Sequence, residues 1–313
     1  MSEPAPATPR SAALVVNPAA RGVRRFDPAR AARYLERRGL TVHLSVPETP
    51  EAATAAARAS AERGDALCLV VGGDGSLRAA AGGLAGSYTA LAAVPAGTVN
   101  IWAREAGIPR GIRAAFECHL AGQTAAIDLG LADGHPFLLM AGIGWDAEIA
   151  ARVNPRLKRV AGDLAYILEG LLHLPALRVK PAAWSTPAGR RAGPFAWMVL
   201  GNSRLYGGRI QLTPGAVIDD GLLDLIAFCP SGLLPAAALA ARVAAGARQG
   251  SSIVSERTPE LVFETPGFPV QLDGDPIGVT PMTFRVAHRA LRVSLPAGPL
   301  PGVVGGGRWE VGG

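Results

Sequence analysis

The chain has 313 residues, 49% of them hydrophobic and 18% charged, which suits two ordinary domains and excludes a mainly disordered or fibrous protein. The formal net charge is +6, and all of the base apart from Lys158 and Lys180 is arginine. That balance fits an anionic partner or a bias toward Ala, Arg, Gly and Pro, while the absence of any recognition motif or aromatic-interleaved basic patch excludes nucleic acid.

Cys68, Cys118 and Cys229 are widely separated, which is neither a disulfide framework nor metal spacing and fits a reducing compartment. The histidines form no HxH or HExxH pattern, which argues against zinc. The opening MSEPAPATPR lacks the order of a signal peptide and reads as a loose leader. The longest uncharged run, Leu225 to Ala241, is interrupted by Pro230, Gly232 and Pro235. It reads as strand, turn and helix rather than a membrane span.

In chain order, ALVVNP (Ala13 to Pro18) reads as a buried strand. Asp27-Pro28 then offers an N-cap and a proline at the first helical position, and Gly39 closes that helix. LTVHLSV is a second strand. Thr49-Pro50 opens an alanine-rich helix that runs to Gly64, ALCLVV is the third strand, GSLRAAAGGL a short helix and TALAAVPAG the fourth strand. Helical stretches follow around Trp102 and from Ile112 to Leu120. Continuous apolar strands separated by helices predict a parallel sheet covered on both faces, over residues 11–126.

From residue 127 to 300 the rhythm changes. AIDLGLADGHPFLLMAGIG reads as two strands around the hairpin turn Asp133-Gly134. AWMVLGN, LLDLIAF, ELVFET, VQLDGD, TFRVAH and LRVSLP are short strands, which predicts an antiparallel β-sandwich whose last strands return toward the first domain. One helix interrupts them, from Pro155 to Leu174, with Leu157, Val160, Leu164, Leu168 and Leu171 on one face. Arg152, Arg156, Lys158 and Arg159 stand at its start. This is either a peripheral contact with an anionic membrane or a packed helix with solvated charges.

The informative break is VVGGDGSLRAAAGGL, Val70 to Leu84. In a parallel sheet ligands bind at the carboxyl ends of the strands. Glycines there let backbone N–H groups approach phosphate oxygens, with a helix N-terminus behind them. A carboxylate at such a place, Asp74, repels phosphate unless a divalent cation lies between, so it predicts magnesium; the alternative is a tight turn. The next strand ends in VPAGTVNIWARE, with Gly97, Thr98 and Asn100 at the same edge, and the first ends in Asn17-Pro18. Neither GxGxxG nor GxxxxGK[ST] is present.

VVGGDGSLRAAAGGL followed by VPAGTVNIWARE resembles the GGDGT and GTxND-type motifs of the diacylglycerol kinase catalytic-domain family, which includes bacterial lipid kinases, diacylglycerol kinases and sphingosine and ceramide kinases. NPAARG resembles the opening NPxSG of that family, and DLGLADGHPFLLMAGIGWDAEI its FxNxxGxGFDA strand pair. GGRIQLTPGAVIDDGLLDL resembles GGGxxxxPxAxxDDGxLD, and QLDGDPIGVTP resembles DGExxxxxP. Ser76 stands for threonine, Val99-Asn100 for a small residue and asparagine, Ala141 for an asparagine, and Asp275 for the glutamate taken as general base.

The resemblance implies an α/β nucleotide-binding domain and a β-sandwich domain with a nucleotide cleft between them. It implies ATP contacts from Gly72, Gly73, Asp74, Gly75, Ser76, Leu77, Arg78 and Thr98, with Thr49 near the nucleotide or simply capping its helix. It also implies a second Mg²⁺ held by Asp220 and by backbone groups of Val217 and Leu222, where the turn Asp219-Asp220-Gly221 is otherwise an ordinary β-turn. Asp275 is then the base. Asp273 and Asp275 flank Gly274 after a strand, and either strand alternation puts both on one face, with Asp273 supporting, or the three residues form a hairpin turn.

The expectation is an ATP- and Mg²⁺-dependent kinase of a lipid hydroxyl, diacylglycerol or a related lipid, peripheral on the cytoplasmic face of a membrane, with homodimerisation left open. The alternatives are a catalytically impaired nucleotide- or lipid-binding regulator, suggested by Asp275, and a kinase of an NAD-like or sugar substrate.

Overall fold

The computed structural model describes residues 11–145, 147–148, 179–206, 210–230 and 252–305. The helix expected from Pro155 to Leu174 and its basic cluster lie outside the described residues. The chain divides into two units, Met1–Ile127 with Arg289–Gly313, and Asp128–His288.

Unit 1 follows its local signals. Strand β1 (Ser11–Val16) leads to α1 (Pro28–Glu36), β2 (Thr41–Ser45), α2 (Pro50–Arg63), β3 (Leu67–Gly72), α3 (Asp74–Leu84), β4 (Ala90–Pro95), α4 (Ile101–Glu105) and α5 (Ile112–Leu120). Asp27 caps α1 by accepting the Arg30 N–H, and Thr49 caps α2 by accepting that of Ala52. Such caps are each worth about 1 kcal/mol. Gly64 ends α2 in the left-handed conformation, φ 72°, where a Cβ is disfavoured.

The strands pair in parallel in the order β2-β1-β3-β4. β3 and β4 are buried throughout, as central strands covered on both faces must be. The buried imidazole of His119 on α5 donates Nε2–H to the Ala93 carbonyl, which leaves Nδ1 to accept from the Ser294 hydroxyl. Burial pulls its pKa below the ordinary value, so the ring is held neutral.

Unit 2 is built on strands β5 (Gln123–Ala132), β6 (His135–Phe137), β7 (Met140–Gly144), β8 (Lys180–Thr186), β9 (Gly189–Phe195), β10 (Trp197–Gly201), β11 (Leu205–Tyr206) and β12 (Ile210–Gln211). They continue with β13 (Leu223–Phe228), β14 (Ile253–Thr258), β15 (Glu260–Phe263), β16 (Pro269–Leu272), β17 (Asp275–Val279) and β18 (Met282–Leu295). One antiparallel sheet has the order β14-β13-β10-β7-β16-β17, and β15 pairs antiparallel with β8 and β18.

Between these layers Phe195, Phe263 and Phe268 interlock at 5.1–5.4 Å between ring centroids, against Ile143, Leu200, Leu225 and Val270. Each such side chain contributes about 1.5–3 kcal/mol on burial. The fold class is the one expected, a parallel α/β unit and an antiparallel β unit. β18 changes units at Arg289, and its end, at Val293, runs parallel to Leu91 of β4.

Candidate active site

Three strand ends of unit 1 meet at one edge. After β3 the backbone turns through Gly73, which is the N-cap of α3 and offers no side chain to cap it. The first-turn N–H groups of that helix therefore lack a side-chain cap, the arrangement that receives anions. After β4, Ala96 and Gly97 both donate N–H to the Gly72 carbonyl. A Cβ on Gly97 would stand 2.6 Å from the Gly73 Cα, so the two turns touch backbone to backbone and only glycine allows it. After β1, the Asn17 side chain donates to the Ser76 hydroxyl at 2.8 Å and accepts from the Ala19 N–H.

The structure thus brings Asn17, Gly72, Gly73, Asp74, Gly75, Ser76, Arg78, Thr98 and Asn100 to one edge, with differing availability. Thr98 is exposed and its hydroxyl has no hydrogen-bond partner among the described residues. Asn100, at φ 53°, exchanges two hydrogen bonds with the Gly97 backbone, so its amide closes the loop. Leu77 is buried, 3% exposed, and its N–H is bonded to the Gly73 carbonyl. Thr49 is found in its capping role.

Asp74 has a role the sequence reading lacks. Its carboxylate accepts the N–H groups of Ile101 at 3.0 Å and Trp102 at 3.1 Å, the start of α4. Hard oxygens at a phosphate loop suit Mg²⁺. The carboxylate is of the chemical kind that would hold one cation. The aspartate that closes the GTxND pattern falls on Ile101 in this chain, a departure that the reading of Val99-Asn100 leaves out. The loop therefore brings one carboxylate and not two.

In unit 2, Asp273 and Asp275 do not alternate along a strand. Asp273 and Gly274, at φ 51° and 88°, form the two-residue turn between Leu272 and Asp275, the backbone of a type I′ hairpin. The Asp273 carboxylate accepts three N–H groups, from Leu138, Leu139 and Met140, at 2.8–2.9 Å. It fastens the turn, so of the two readings the structure has the hairpin and not the strand alternation that would place it on one face with Asp275. Asp275 opens β17 and is half-buried.

The Asp219-Asp220-Gly221 turn is held by two further groups. Buried Asp128 accepts from the Gly221 N–H at 2.6 Å and from His288 Nδ1 at 2.9 Å. Asp220 accepts the Leu222 N–H and is paired with Arg257. Burial pushes the Asp220 carboxyl up, and that of Asp224 to about 6, with Arg257 opposing both. Among the described residues no group of three His, Cys, Asp or Glu side chains is arranged to hold a metal. Val217, Asp220 and Leu222 offer hard oxygens of the right kind, but both Asp220 oxygens are engaged, one by a guanidinium. As arranged, they do not fit a divalent cation without displacing Arg257.

Sequence reasoning missed Asp128, His288 and the buried Asn202, whose amide donates to the Asp128 and Leu138 carbonyls. The signal for Asp128 was an acid inside the apolar run Ala126-Ile127-Asp128-Leu129.

Residues 11–132 match the family model described as diacylglycerol kinase catalytic domain, and residues 140–295 match the YegS C-terminal NAD kinase beta sandwich-like domain. A Pseudomonas aeruginosa (strain UCBPP-PA14) protein named "Probable lipid kinase YegS-like" is 38% identical over 75% of this chain and 78% of its own length. One of the same name from Enterobacter sp. (strain 638) is 28% identical over 82% and 87%. A solved diacylglycerol kinase from Bacillus anthracis str. Sterne superposes with TM-score 0.68 at 19% identity, over 92% of this chain and 97% of that one. Another structure from that organism reaches 0.77 at 21%, over 95% and 99%. These two likenesses show the fold.

Proposed function

The chain belongs to the lipid kinase family that carries a diacylglycerol kinase catalytic domain, a family of phosphotransferases, and from that premise we propose that it transfers the γ-phosphoryl group of ATP to a hydroxyl of diacylglycerol or a related lipid. The observation that carries the proposal is the glycine edge of unit 1, where two turns touch without side chains and the start of α3 carries no side-chain cap. Phosphoryl transfer asks for positioning and charge neutralisation more than for covalent help, and backbone donors supply both.

The triphosphate is assigned to the N–H groups of the α3 start, with Thr98 as a hydroxyl contact. Asp74 is assigned to hold Mg²⁺ while its bonds to Ile101 and Trp102 fix the loop. That cation, when bound, neutralises phosphate charge. Asp275 is assigned as base: it takes the proton of the lipid hydroxyl as that oxygen bonds to the γ-phosphorus and ADP departs. A second cation at Asp220, with the carbonyls of Val217 and Leu222, is proposed only as a competitor of Arg257, and no step depends on it.

Among the described residues no helix is long and apolar enough to cross a membrane, and we infer a peripheral contact with the cytoplasmic leaflet. The NAD kinase-like description of the C-terminal domain favours, as a second reading, a nucleotide-like acceptor. Incubation with γ-labelled ATP, Mg²⁺ and a total lipid extract tests both: a labelled phospholipid supports the proposal, and label only in a water-soluble acceptor contradicts it.

A further inference from the structure

Away from the glycine edge, unit 1 carries a cleft of about 630 Å³ between α1, the loop before it and α5. Its walls follow helical spacing. Arg30 and Tyr34 of α1 and its C-cap residue Arg37 recur along one face, and Ile112, Arg113 and Phe116 along the facing side of α5. The helices meet where the Tyr34 ring stacks on Phe116 at 6.4 Å between centroids. Phe116 is buried there and Tyr34 half-buried, so the floor is aromatic and apolar.

The rim is cationic. Arg25, Arg30, Arg37 and Arg113 line it and are exposed, and among the described residues none of the four has a carboxylate partner. Asp27, the acid in the lining, is committed to the Arg30 N–H as the cap of α1. Glu117 beside the cleft is already taken by Arg38 and the Tyr34 hydroxyl. The Arg113 guanidinium lies over the Tyr34 ring at 5.3 Å, which seats one charge directly on the aromatic wall.

A guanidinium is a planar fork that matches phosphate oxygens. Unpaired guanidinium groups around an apolar floor call for a ligand with phosphate above and hydrocarbon below. We propose that this cleft seats the phosphate headgroup of an anionic membrane lipid and holds unit 1 against the bilayer. The proposal rests on the lipid-kinase reading for the choice of a lipid over a soluble phosphate: an enzyme acting on a lipid must reach a surface, and anionic leaflets attract clustered bases.

The test is co-sedimentation of the full chain, without nucleotide or substrate, with vesicles of phosphatidylcholine with and without phosphatidylglycerol. The wild type is expected on the anionic vesicles alone. Each base near such a surface is worth roughly fivefold in partition, so Arg30→Gln, Arg37→Gln and Arg113→Gln together should lose on the order of 100-fold. The charge-matched set Arg190→Gln, Arg191→Gln and Arg285→Gln on unit 2 should lose less than about threefold. Should the first triple variant melt early, Arg37→Gln alone reads the same quantity at roughly fivefold.

Failure of the wild type to bind anionic vesicles, equal loss in the two triple variants, or no loss in either overturns the proposal. So does micromolar binding of glycerol 3-phosphate that the cleft substitutions abolish while vesicle binding persists. Phosphorylation of a short-chain, water-soluble diacylglycerol should be unchanged in the cleft variant. Its absence in wild type as well speaks against the kinase reading and leaves the vesicle result standing.

Discussion

The two units end their strands in tight turns that are held by opposite means. At the edge of unit 1, Gly73 and Gly97 meet backbone to backbone, and one carboxylate, Asp74, ties the first loop to the second. In unit 2 the turns are clamped by acids: Asp273 gathers three amides, and Asp128 holds Gly221 and His288. A glycine turn keeps N–H groups near the surface for a ligand. An acid-clamped turn uses its N–H groups internally and gains rigidity, which is what a neighbouring reactive group needs. On the proposed function, the binding of phosphate and the holding of a base would fall to different kinds of turn.

The sharpest way to break this comparison is to exchange neighbours in one turn. Asp275→Asn should lower kcat by about 10²–10⁴-fold, the range for a lost general base, with a melting temperature near that of wild type, while Asp275→Glu keeps activity. Asp273→Asn should do the reverse, with about 3 kcal/mol lost because three amides lose a charged acceptor, read by urea unfolding. A stable Asp273→Asn protein, or an Asp275→Asn protein with full kcat, contradicts the division of roles.

Gly97→Ala is the matching test in unit 1. Its Cβ would lie 2.6 Å from the Gly73 Cα and 2.9 Å from Asn100 Oδ1, so the turns must part. We expect kcat/KM for ATP to fall by about 10- to 100-fold, or ~1.4–2.7 kcal/mol, and an unchanged value would show that the contact is not needed. Arg257→Ala sharpens the contrast from the other side. It leaves Asp220 and Asp224 facing each other without the guanidinium, so the variant should melt a few degrees lower and recover part of that loss in millimolar Mg²⁺, which should leave the wild-type midpoint unmoved. A Mg²⁺ response as large in wild type means that the cation already outcompetes Arg257.

The smallest effect is that of pH on unit 1. His119 has a folded pKa below its ordinary value, so the unfolded chain binds the proton first. The stability it contributes is present above about 6.5 and lost as pH falls through the folded value. Melting temperature should decline below about pH 6.5, and His119→Gln should flatten that decline; a variant with the wild-type slope assigns it to other groups.

The sequence made unit 1 legible because its signals act over short distances. Asp27 and Thr49 each cap an amide three residues away, and the glycine turns sit where the apolar runs stop. The clamps of unit 2 act across the chain: Asp128 reaches Gly221 over 93 positions and Asp273 reaches Leu138 over 135. No period or turn pattern encodes such pairs, so Asp128 passed unnoticed and the pattern around Asp273 allows strand alternation as well as a turn. Asn17 and Asn100 carry bonds that the sequence pattern does not show. Polar side chains in a small loop first satisfy the loop, as their bonds to Ala19 and Gly97 show, and only what is left faces a ligand.

The most direct test of the central claim is calorimetric titration of a non-hydrolysable ATP analogue, with and without Mg²⁺, into wild type, Asp74→Asn and Asp273→Asn. If the triphosphate sits on the glycine edge with its cation at Asp74, Asp74→Asn loses the Mg²⁺-dependent part of the affinity, tenfold or more, a difference of ~1.4 kcal/mol, while folded Asp273→Asn binds as wild type does. Wild-type affinity in Asp74→Asn, or equal loss in the two variants, contradicts the assignment of the nucleotide to unit 1.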